Sequence, residues 1–236
     1  MPFADRQQIH DALAYYTRFC STDQEPPALP TPMATILVRT LLGAALAICG
    51  GLAAWLVPGL HAGRLAAALV IAALLLFLTA GREVRRPLAF LKPTQAGDET
   101  RPALVTLALL LPFVLLLLLV ALAGPAAVLP MLALGAALGC ELSSPSPRSA
   151  FSVAHPMGWA LALAATWLVS LLAAIGCGAF LDAARHMTIR LLLLGLLCLL
   201  TLPWLRSWST RPTGRAASLL LGETAVAILL ILLALF

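Results

Sequence analysis

The 236 residues predict an all-α protein, a polytopic transmembrane bundle of about seven helices with its N-terminus in the cytosol. Three observations carry that expectation. First, hydrophobic residues make up 61% of the chain and charged residues 11%. A soluble domain holds roughly 45–50% and about 25%, so this chain has too little polar surface to coat a globule in water. Second, the apolar residues gather in runs of about twenty, the length a helix needs to cross ~30 Å of hydrocarbon at ~1.5 Å per residue. Third, the cations stand between those runs. A membrane barrel would need strict alternation, which Leu/Ala runs lack.

Residues 1–33 read as a polar N-terminal segment, cytosolic or interfacial, ahead of a transmembrane domain over 34–236. From Asp5 to Cys20 the apolar positions Ile9, Leu13, Tyr16 and Cys20 recur at helical spacing, with Gln7, Asp11 and Arg18 opposite. Two placements of such a helix are open, on the membrane surface or against the protein's own loops. TDQEPPALPTP then breaks regular structure. The first 33 residues contain no apolar core of a cleaved signal, so the first span is expected to act as an anchor.

The seven spans fall at about 34–57, 64–81, 103–123, 126–142, 157–181, 188–205 and 217–236. Arg39 interrupts the first early and is expected to snorkel back to the near interface. PGLHAGR is too short a link for anything but an antiparallel hairpin between the first two. The segment 126–142 is short and carries Pro130, so a re-entrant path is open for it as well as a full crossing. Gly43, Ala47 and Gly51 share a face of the first span, and Gly135 and Gly139 form a G-x-x-x-G. Small residues of this kind let helix backbones approach closely in lipid.

Cations decide the orientation, since cytosolic loops carry an excess of Lys and Arg. With seven spans, twelve of the 15 fall on the N-terminal side and only Arg64, Arg185 and Arg190 on the other. The connectors 82–102, 143–156 and 206–216 then form a basic cytosolic face. Arg82, Arg85, Arg86, Lys92, Arg101, Arg206, Arg211 and Arg215 are its candidate sites for a phosphate-bearing ligand or anionic headgroups. The competing reading is that they only orient the chain. Net charge is +5; with the cations flanking apolar runs, the expected partners are the lipid bilayer, a membrane protein complex or a phosphate-bearing ligand rather than nucleic acid.

Glu223 is the one acid well inside a predicted span, and intramembrane acids are functional candidates. It also lies under two turns from the cytosolic end, within reach of headgroups or Arg215. Glu141, at the end of the fourth span, is a weaker candidate. His10, His61, His155 and His186 are dispersed, none with a partner at i+3 or i+4, so neither haem nor a metal site is expected. Cys20, Cys49, Cys140, Cys177 and Cys198 form no C-x-x-C and read as isolated thiols. There is no glycine-rich phosphate loop, and Asp98-Glu99 is the only adjacent acidic pair, so no cofactor is implied.

Several stretches resemble the cobalamin synthases (adenosylcobinamide-GDP ribazoletransferases), inner-membrane enzymes of similar length. They are ALAYYTRF at 12–19, LLGAAL at 41–46, Thr79-Ala80-Gly81, Thr213-Gly214, and Gly222-Glu223 in the last span. The resemblance implies the cell inner membrane and a transferase acting on phosphate-bearing substrates at the cytosolic face. Its acidic, His- and Asp-containing Mg²⁺ motif would fall after the second span. This chain has Arg82, Glu83, Val84, Arg85 and Arg86 there, and Arg215 where an Asp should follow Thr213-Gly214. Cations repel the metal that those carboxylates would hold, so the resemblance implies a member that has lost the reaction, with no catalytic residue carried over.

The sequence therefore points first to a non-catalytic accessory, assembly or binding subunit in the membrane. A diverged transferase of the cobalamin-synthase type comes second. A transporter component ranks last, because the spans are almost purely aliphatic.

Overall fold

The computed structural model describes residues 5–17, 30–79, 101–144, 153–176, 180–208 and 215–235. Regular structure among them is helical throughout: α1 (Arg6–Tyr16), α2 (Pro32–Leu56), α3 (Leu60–Leu78), α4 (Arg101–Ala123), α5 (Val128–Leu142), α6 (Pro156–Gly176), α7 (Phe180–Trp208) and α8 (Arg215–Leu235), with a 3₁₀ turn at Pro125–Ala127 leading into α5.

Local chemistry sets the helix ends. Asp5 and Gln8 form a reciprocal capping box on α1. Thr31 caps α2 through its side chain, with Pro32 at the first helical position where a missing N–H is harmless. Two glycines at positive φ, Gly59 at 92° and Gly124 at 86°, make the tight reversals before α3 and before the 3₁₀ turn. Arg64 donates to the Ala121 carbonyl at 2.7 Å, closing the C-terminal end of α4 with a cation.

α5 is the axis of the bundle. Every residue from Val128 to Leu142 is buried, among α2, α6, α7 and α8, with the 3₁₀ turn and α4 at its start. Pro130, the reason a re-entrant path was open, falls in its first turn, where the missing N–H has no partner within the α-helix.

Contacts define each helix's direction. Cys140 at the end of α5 lies against Pro32 at the start of α2, while Gly43 meets Leu129 near the other end, so α2 and α5 are antiparallel. Gly135 beside Glu223 and Gly139 beside Leu219 make α5 and α8 antiparallel as well. Arg64 on Ala121 reverses α4 against α3, and Trp167 on Thr188 reverses α7 against α6. Direction thus alternates from α2 to α8. The starts of α2, α4, α6 and α8 share one end of the bundle with the ends of α3, α5 and α7.

Among the described residues, five helices are long and apolar enough to cross a membrane: Pro32–Leu56, Leu60–Leu78, Pro125–Leu142, Thr188–Ser207 and Ser218–Leu235. Shorter apolar segments, Leu110–Ala123 and Pro156–Val169, lie within α4 and α6. The outer faces are apolar too: Leu52 and Trp55 on α2, Leu65 and Leu69 on α3, and Leu192, Leu196 and Trp204 on α7 are all exposed. Water disfavours such a belt and hydrocarbon does not. These are the features of a multi-pass membrane protein.

α1 docks on the protein itself. Ala12 and Tyr16 are fully packed into the main core, and Ile9 and Leu13 pack against it. The helix meets the chain at α2 rather than at a loop, and Arg18 and Cys20 lie outside the described residues.

Candidate functional site

A buried polar spot lies where α1, α2 and α8 meet beside α5. It depends on glycine. A Cβ added at Gly135 would come within 2.6 Å of the Glu223 Cα, and one at Gly139 within 2.6 Å of the Leu219 Cα. From the other side, a Cβ at Gly222 would collide with the Gly135 carbonyl and lie 2.7 Å from the Gly139 nitrogen. Three glycines interleave, so α5 and α8 touch backbone to backbone. The G-x-x-x-G therefore works inside the monomer. On α2 the small-residue seam runs through Gly43, Ala47 and Gly50. Gly51, predicted to belong to it, faces open space, and Gly50 takes the position against Ile71 and Pro125. The i, i+4, i+8 spacing drifts around a 3.6-residue helix, and i+7 lies nearer the seam.

The close approach sets Glu223 opposite Arg39. The guanidinium Nη2 is 3.3 Å from Glu223 Oε1, with the Arg39 side chain 0% exposed and that of Glu223 9% exposed. Arg39 does not snorkel. The Tyr16 ring covers its guanidinium at 5.0 Å from the centroid, and the Tyr16 hydroxyl shares a hydrogen bond with Thr35 at 3.4 Å. Burial pushes the Tyr16 hydroxyl well above the ordinary phenol range, while the Thr35 hydrogen bond and Arg39 pull it the other way. The net rise keeps it a neutral hydroxyl. Depth explains why the ion pair forms at all. Arg39 is seven residues past the first of α2 and Glu223 eight past the first of α8, about 10 and 12 Å along helices that start at the same end.

A second buried charge stands at that end of α5. The Glu141 carboxylate accepts from the backbone N–H of Ala154 at 2.8 Å and of His155 at 2.7 Å. Arg206 of α7 donates to it at 3.4 Å. The two amides immediately precede Pro156, the first residue of α6, so an anion sits at that helix's N-terminus. One carboxylate thereby ties α5, α6 and α7 together.

Of the sequence-predicted anion sites, Arg206 is thus engaged by Glu141. Arg101 and Arg215 begin α4 and α8, with their side chains outside the described set. Arg82, Arg85, Arg86, Lys92 and Arg211 lie outside the described residues. Glu223 is the predicted intramembrane acid, and it reaches Arg39. Sequence reasoning missed Arg39 as its partner. The available signal was their equal depth in two spans entering from one face. Among the described residues no three metal-ligating side chains gather. Chemically, the site supplies compensated charge and tight packing.

Comparisons with family models, with curated proteins and with solved structures returned no match.

Proposed function

We propose that the chain crosses the cell inner membrane seven times from a cytosolic N-terminus. In this reading it is a non-catalytic accessory, assembly or binding subunit whose basic cytosolic loops meet an anionic partner or lipid headgroups. One observation carries the proposal: the alternating helix directions bring the borders of 80–100, 145–152 and 209–214 to a single end of the bundle. The cations of those connectors then share one face. The interior supports it, because Glu141 and Glu223 are both matched by arginines.

Orientation is tested by single cysteines in a cysteine-free background. Lys92→Cys and Arg211→Cys are expected to resist an impermeant thiol reagent on intact cells and to react after permeabilisation. Pro58→Cys, at the opposite end, is expected to react at once. Function is tested by extraction in mild detergent and native mass spectrometry. Anionic lipid or a protein partner is expected to stay bound, and removing the charges of Arg82, Arg85, Arg86 and Lys92 together is expected to release it. Each charge contributes about 1 kcal/mol near an anionic surface, so the fourfold variant should lose about a thousandfold in affinity. A bare monomer carrying neither would count against the proposal.

A second reading, a diverged cobalamin-synthase-like transferase acting on phosphate-bearing substrates at the same face, is favoured by one observation. Three of the stretches that resemble that family lie together: Tyr16 on Arg39, Gly43 on α5, and Gly222-Glu223 on α5. Growth of a strain lacking that transferase, restored by this protein on the precursor, would select it.

A further inference from the structure

Exposure on α1 changes along the helix axis rather than around it. Asp5 to Gln8 and His10 are exposed, whereas every residue from Asp11 to Thr17 is buried or half-buried. A helix lying flat on its support would alternate instead with the helical period. Two contacts fix the direction of α1. Near its start Gln8 meets Thr31, the N-cap of α2, at 3.4 Å. At its end Tyr16 reaches Thr35 and Arg39, which lie about 6 and 12 Å along α2 from Thr31. α1 therefore runs the same way as α2, inward from the end of the bundle where α2 begins.

Its two ends are finished to match. The outer end carries the Asp5–Gln8 capping box. At the inner end the Leu13 carbonyl accepts from the Thr17 N–H at 2.7 Å and from the Thr17 hydroxyl at 2.6 Å, partners that suit a helix end placed away from water.

Arg39 forms the floor of the seat. A guanidinium can stack on an aromatic ring and pair with a carboxylate at the same time. Here the cation sits 5.0 Å from the centre of the Tyr16 ring, and its Nη2 lies 3.3 Å from Glu223 Oε1. One buried cation thus holds α1 and α8 together. The two partners are unequal, because an aromatic face cannot by itself compensate a charge in the interior. Without the carboxylate the guanidinium is driven toward water, and its way to the near end of α2 runs past the ring that covers it.

We propose that α1 is a plug, inserted end-on and latched by the Arg39–Glu223 pair, so that neutralising or withdrawing Glu223 releases the N-terminal segment. The device follows from the packing alone and does not depend on which face of the bundle is cytosolic.

The test uses the full-length protein in phosphatidylcholine nanodiscs. Nitroxides are placed at Arg6→Cys and Tyr15→Cys in a cysteine-free background, and their depths are read from relaxation by oxygen and by a nickel chelate. The label at position 15 is expected to lie deeper by about 6–12 Å; equal depths would overturn end-on entry. Hydrogen exchange then reads the latch. Amides from Ala12 to Tyr16 should be protected in the wild type. Tyr16→Leu should speed their exchange about tenfold, and Glu223→Gln by at least as much, with α5 unchanged in both. The effect of Glu223→Gln should vanish in an Arg39→Met background, where no cation is left to expel. Unchanged α1 exchange in Tyr16→Leu would overturn the latch, as would an effect of Glu223→Gln that is the same with and without Arg39. Should Glu223→Gln fail to fold, the Tyr16→Leu result decides.

Discussion

Replacing Glu223 with alanine is expected to destabilise the folded protein by about 3–5 kcal/mol, the usual result of stranding one member of a buried ion pair. The Arg39 guanidinium, fully buried at 3.3 Å from that carboxylate, would keep its charge, because it cannot shed a proton under any ordinary condition. The Tyr16 face at 5.0 Å remains, but a cation–π contact supplies about 0.5–2 kcal/mol, too little to replace a carboxylate. Replacing Arg39 with methionine should do less damage, since the orphaned Glu223 can take up a proton and become neutral. Removing both, as Arg39→Met with Glu223→Leu, should recover most of the loss, because apolar pairs of similar size often replace buried ion pairs without penalty. Unfolding of the four proteins by graded SDS in mixed micelles reads all these differences. Equal losses from both single variants, with no recovery in the double, would mean that the two side chains act separately.

That pair also shows where sequence reasoning reached its limit. Helix positions were legible, because hydrocarbon demands long apolar runs with every backbone group bonded internally. The predicted 126–142 and the observed Val128–Leu142 are one helix, and the predicted 34–57 is α2, Pro32–Leu56. α7 starts at Phe180, eight residues before the predicted span, since helical hydrogen bonding does not stop where hydropathy drops at Asp182, Arg185 and His186. Burial was not legible. α5 and the Thr188–Ser207 part of α7 are both apolar enough to span a membrane, yet the first is wholly enclosed and the second presents Leu192, Leu196 and Trp204 outward. The available hint was the density of small residues in Gly135, Ala136, Ala137 and Gly139. A lone arginine near a helix end looks like a snorkelling one until its neighbour is known, and the neighbour of Arg39 is 184 residues away in sequence.

Gly222→Ala is expected to cost about 2–3 kcal/mol, at the upper end for overpacking. In an isolated helix the same change would help by up to about 1 kcal/mol, so the sign itself is diagnostic. Sterics win because the added methyl meets backbone on α5, the Gly135 carbonyl and the Gly139 nitrogen, and backbone cannot rotate away as a side chain would. Gly51→Ala supplies the contrast. Its methyl would enter open space, so that variant should be neutral or slightly more stable. Gly139→Ala, against the Leu219 Cα at 2.6 Å, should resemble Gly222→Ala. The seam and the ion pair are neighbours, since Gly222 precedes Glu223 and Gly135 lies against it. Pushing α8 off α5 should therefore also pull Glu223 from Arg39, and the two effects should not add. In the Arg39→Met, Glu223→Leu background, Gly222→Ala is expected to cost measurably less than in the wild type. If its cost is unchanged there, the glycines hold the helices together without positioning the charge.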